Sequence, residues 1–140
     1  MTMKTDAFPG RESLTEILES RADLYNRTTF IETDPISIPH QFSDAEDIAI
    51  SGFLTATIAW GQRLTLIRNA QSMMDRMDLA PADFVRSFKE SDLTVFDGFV
   101  HRTFNANDLK NFLRSLQRIE HELGSLENAF RTPSGSVFEG

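Results

Sequence analysis

There is no cysteine in this sequence. That excludes disulfides and any thiolate metal site, and it suits a reducing cytoplasm, the expected location. Histidine is scarce as well. His40, His101 and His121 stand far apart, without the H-x-x-x-H or H-E-x-x-H spacing that sets two imidazoles on one helix face. Neither a metal nor a cofactor is therefore expected. A phosphate-cradling P-loop, a G-x-S-x-G elbow and a dinucleotide fingerprint are all missing, so catalytic residues stay unassigned. No apolar run reaches the ~20 residues a membrane helix requires. The start, MTMKTDAFPG, lacks the apolar segment of a signal peptide, so neither membrane association nor export is expected. Twelve phenylalanines stand against one tyrosine and one tryptophan, an aromatic supply directed at a dry interior.

Basic charge is in deficit too. The net charge is −7, and it is unevenly placed: residues 1–50 hold four basic against ten acidic side chains, residues 51–140 ten against eleven. A domain that grips DNA through its whole surface is normally basic, because neutralised phosphates supply much of the affinity. The composition counts against that role for the chain as a whole.

What is present is a long apolar stretch, Ile48 to Met77, around which the remaining segments can be arranged. Ser43-Asp44-Ala45-Glu46 has the S-x-x-E form of a capping box directly before it, and Asp44, Glu46 and Asp47 put negative charge at a helix start. The residues that follow are apolar on nearly all sides, as in a helix covered by neighbours on several faces. Strand is the competing assignment for the β-branched residues here; the alanines, Leu54 and the capping box favour helix. Gly61 is a natural stop, and Leu64, Ile67, Ala70, Met74 and Met77 then mark a second, amphipathic helix.

Elsewhere, Ser13-Leu14-Thr15-Glu16 predicts a first helix that ends near Asn26 and covers the central one. Residues 27–42 hold Pro35 and Pro39 and predict an extended, packed segment. Short helices are expected at 82–88 and after Ser91-Asp92, a compact connection at 98–104, and a long helix capped by Asn105 or Asn107, with a break at Gly124-Ser125. The expected fold is all-α: a compact orthogonal bundle of five to seven helices around a central buried helix at about 44–60. It would occupy residues 12–131, between a flexible tail at 1–11 and a second tail, or a truncation point, at 132–140.

Chemistry-bearing groups gather in a few places. Trp60-Gly61-Gln62-Arg63 puts an indole, an amide and a guanidinium at a helix end, a suitable wall for a base or phosphate. The plainer alternative is a core tryptophan, a glycine cap and two solvated side chains. His101-Arg102 offers an anion contact or, more plainly, a tie from the connection to a carboxylate such as Asp97. Lys110, Arg114 and Arg118 form a basic stripe, which is also what any solvated helix face shows. Asp44, Glu46 and Asp47 are explained by capping before metal binding.

Three separated blocks, DPISIPHQF (34–42), ISGFLTATIAWGQR (50–63) and GFVHRTFNANDL (98–109), carry a resemblance. Together they resemble a bacterial family, a domain of unknown function, over about residues 12–130. Its members are longer, and their second half resembles the helix-hairpin-helix DNA glycosylases of the endonuclease III type. In those enzymes a core helix ends in a turn whose glutamine fills the gap left by a flipped base, and Gln62 stands at the comparable place. The glycosylase hairpin and its trailing catalytic aspartate or lysine have no counterpart here. The resemblance thus implies the N-terminal half of a nucleic-acid-binding protein without its own catalytic centre, with Trp60, Gln62, Arg63, His101 and Arg102 as contacts. DNA would be met through the complete protein. The other expectation is a non-enzymatic helical interaction module, whose partner is the missing C-terminal half or a second copy. A third reading, carboxylate chemistry on a small molecule, needs acidic residues to converge, and their spacing gives no sign of it.

Overall fold

A computed structural model describes residues 11–131, which fall into two compact units divided between Thr33 and Asp34. The tails expected at 1–11 and 132–140 lie outside the described residues, Arg11 excepted. In the first unit, α1 spans Arg11–Tyr25 and α2 spans Thr28–Ile31. Helix α1 begins two residues before the serine expected to cap it. Its apolar stripe, expected to be buried, stays open: Leu14 and Ile17 are each 57% exposed. Tyr25 and Phe30 meet edge to face at 5.5 Å.

The second unit opens with the two prolines, and here the expectation of extended chain is corrected. Pro35 and Pro39 each begin a 3-10 turn, Pro35–Ser37 and Pro39–Gln41. Proline's fixed φ suits the first position of a helical turn, where its missing N–H costs nothing. Asp34 is extended, as a residue before proline prefers, and its carboxylate accepts the Ile36 N–H at 3.0 Å. Ile38 also precedes a proline yet is helical, φ −69° and ψ −59°. Its side chain is 1% exposed in the core, and that anchoring outweighs the local bias.

Helix α3, Ala45–Thr57, is next. Its cap is Asp44 rather than Ser43: the Asp44 carboxylate accepts the N–H groups of Glu46 and Asp47. Asp47 instead reaches across and accepts the Ala82 N–H at 2.9 Å, capping a different helix. Helix α3 stops at Thr57, three residues short of the expected Trp60. Its last carbonyls tighten into three-residue bonds, Ile58 N–H to Thr55 and Ala59 N–H to Ala56. Then come α4 (Arg63–Arg76), α5 (Pro81–Ser87) and a 3-10 turn at Glu90–Phe96. A two-stranded antiparallel ribbon follows, β1 (Val100–His101) and β2 (Phe104–Asn105), pairing His101 with Phe104. Helix α6 (Ala106–Leu123) starts at an Asn105–Asp108 reciprocal cap and ends at Gly124 in the left-handed conformation. Helix α7, Leu126–Ala129, ends the described chain. The architecture is mainly α, as expected, with one small ribbon added. No described helix is long and apolar enough to cross a membrane.

Helix α3 packs against both proline turns, α4, α5 and α7, so it is central. Ile50, Leu54 and Ile58 belong to one core cluster with Met73 and Met74 of α4, Met77 just beyond it, and Leu109, Leu113 and Leu116 of α6. Each such side chain contributes about 1.5–3 kcal/mol by leaving water. The helix is not enclosed on every side, however. Ile48, Gly52, Thr55, Ala56 and Ala59, spaced at helical intervals, form the floor of an open cleft.

Candidate functional site: a cleft ending in a tryptophan corner

The cleft takes in about 810 Å³, the size range of small-ligand pockets. Its floor is the open face of α3. One wall is the proline segment, through Pro35, Ile36, Pro39 and Phe42, and the far end is Trp60, Gly61, Arg63 and Leu66. The lining is largely apolar, with Asp34, His40, Thr55 and Arg63 as its polar members. Glycine and alanine in the floor leave it room.

The corner at the end is built by His101. This ring is 2% exposed, and each nitrogen is engaged: Nε2 with the Trp60 carbonyl at 2.8 Å, Nδ1 with the Asn69 amide at 2.9 Å. The carbonyl can only accept, so Nε2 carries the proton and Nδ1 accepts from the amide. His101 therefore holds the chain just past α3, from beneath the corner rather than on its surface. The indole of Trp60 meets the imidazole edge to face at 5.6 Å and remains 40% exposed, so it is not a core tryptophan.

Arg102 lies over the outer face of that indole, its guanidinium carbon 5.3 Å from the ring centroid. It occupies the first position of the two-residue turn between β1 and β2 with φ 54°. A non-glycine residue in the left-handed region there is strained by about 1–3 kcal/mol. An exposed cation–π contact returns about 0.5–1 kcal/mol. The contact alone does not hold the turn; the ribbon and buried His101 do. Gly61, at φ 97°, leaves the room: a Cβ there would sit 2.9 Å from the Arg102 side chain.

Of the five residues expected as contacts, Trp60, Gln62, Arg63 and Arg102 are exposed at this corner and His101 lies beneath it. Gln62 precedes α4 and accepts the Thr65 hydroxyl. Arg63 and Arg102 have no carboxylate partner among the described residues. Arg86, Lys110, Arg114, Arg118 and Arg131 each have one. The basic stripe of α6 is thus matched at every position: Lys110 with Asp97, Arg114 with Glu90, Arg118 with Glu122. Hydrogen bonds from Arg114 hold the Glu90 carboxyl below its ordinary value, and those to Glu122 hold Arg118 above its own. The carboxylates at the start of α3 are equally spoken for, Glu46 pairing with Arg86. Among the described residues no cluster of three or more His, Asp or Glu is arranged to hold a metal.

Sequence reasoning missed Asn69 and Thr55. Asn69 is 32 residues from the histidine it orients, and Thr55 carries no motif.

The site is thus an apolar cleft ending in a cationic, aromatic corner. The chain belongs to the family described as protein of unknown function, DUF2400, whose match covers residues 34–138. No curated protein and no solved structure matches the chain.

Proposed function

We propose that the Trp60–Arg63 corner, with Arg102, is a nucleic-acid contact in a DNA glycosylase-like protein whose catalytic centre lies outside these residues. One observation carries this reading: an exposed indole has the Arg102 guanidinium over it and shares its end of the cleft with Arg63, neither arginine having a carboxylate partner among the described residues, in a chain of net charge −7. Indole faces stack on bases of any sequence, and arginine forks match phosphate oxygens. Gln62 stands beside them, its amide oxygen on the Thr65 hydroxyl and its amide NH2 left for a base edge. The acidic remainder confines binding to this corner.

Fluorescence anisotropy of a short single-stranded oligonucleotide tests it. Two phosphate contacts give a log–log salt slope of about −1.4, and Arg63→Ala or Arg102→Ala should each remove about 0.7 of it. Binding that is absent, or indifferent to salt and to both variants, would remove the proposal. The open apolar face of α3 favours a second reading, a non-enzymatic interaction module that receives the remainder of a longer protein or a second copy.

A further inference from the structure

One group in the cleft has its chemistry unspent. Thr55 is 3% exposed on the floor, and its hydroxyl has no hydrogen-bond partner among the described residues. A helical threonine commonly returns its hydroxyl to the carbonyl one turn back, as Thr57 does to Phe53 at 2.9 Å. Thr55 does not, although a buried hydroxyl left unpaired is unfavourable. Valine would fill the same space without that burden.

We infer that the cleft is a subsite for one planar heteroaromatic ring bearing an anionic group, of which a nucleoside monophosphate is the simplest example. The ring lies against Gly52, Ala56 and Ala59 and meets Trp60 at its end, and the Thr55 hydroxyl, sealed in the unliganded floor, rotates out to its polar edge. The anion reaches Arg63 at the rim. A hydrocarbon chain would use neither Thr55 nor Arg63, and an anion without a ring would leave the apolar walls bare. This rests on reading the corner as a nucleic-acid contact and deepens it: the corner takes phosphates, the cleft one base.

Isothermal titration calorimetry of the 140-residue chain with AMP, GMP and ribose 5-phosphate decides the matter. AMP or GMP should bind, ribose 5-phosphate should bind at least about tenfold more weakly, and Thr55→Val should weaken the nucleotide about fivefold. The same variant should raise the melting temperature of the unliganded protein by about 3 °C, a readout that also shows it folded. Suppose the oligonucleotide binds as proposed but neither nucleotide does at about 5 mM, or Thr55→Val binds them equally well. The subsite is then overturned and the corner stands. Ribose 5-phosphate binding as well as AMP overturns the ring. Thr55-dependent nucleotide binding without oligonucleotide binding supports the subsite and overturns the reading of the corner.

Discussion

Gly61 is the residue on which the corner turns. Its φ of 97° is a conformation L side chains rarely adopt, and the space above it is filled by the Arg102 side chain. Gly61→Ala should therefore act twice. Backbone strain should cost about 1–3 kcal/mol, read from urea unfolding. Displacement of Arg102 should move the emission of the lone tryptophan in the folded state. A variant with wild-type stability and an unchanged spectrum would contradict the packing described. Glycine at 61 reads in the sequence as a helix stop, but α3 already ends at Thr57. The reason the fold gives it left no local mark, because Arg102 lies 41 positions away and reaches it only through the left-handed turn. The same holds for the burial of His101, whose partners Asn69 and Trp60 are remote in the chain.

At the scale of elements, the helices with paired signals were the legible ones. Asn105 and Gly124 bracket α6 where the sequence puts them, because capping and left-handed closure are local chemistry. Helix α3 was legible in kind but not in extent or covering. The sequence reads as a helix covered on several faces, and in the fold the face at Gly52, Ala56 and Ala59 lines an open cleft. The proline turns were misread because proline's fixed φ starts a 3-10 turn even where the residue before it stays extended, as Asp34 does, while burial holds Ile38 helical. The shortest helix, α7, depends on a distant group: Glu120, 6% exposed, accepts the buried Leu126 N–H with one carboxylate oxygen and the Arg86 guanidinium with the other. Glu120→Ala leaves both donors without an acceptor and should cost about 3 kcal/mol. Glu120→Gln keeps an oxygen for Leu126 and should cost about half as much. Equal losses in urea unfolding would show that α7 does not rely on this bond.

For the whole molecule, charge placement is what separates the candidate site from its surroundings. Five of the ten described cations of the second unit are paired with carboxylates, and Arg63 and Arg102 are among those that are not. Glu90 illustrates the difference. Its carboxyl is held below the ordinary value, so its pairing with Arg114 contributes fully at neutral pH and is lost only as the pH falls through that lowered value. Near neutrality, then, the α6 face stays masked, while Arg63 and Arg102 keep their charge available at the corner. Family membership fixes which chain segments belong together, from Asp34 onward, and leaves the activity to the site. The chain's one tryptophan is also the centre of that site, so its fluorescence reports on the central claim without any label. Titration with a short single-stranded oligonucleotide should quench Trp60 emission saturably, and added salt should restore it. Emission that stays constant while the oligonucleotide binds, or no binding at low salt, would contradict the account.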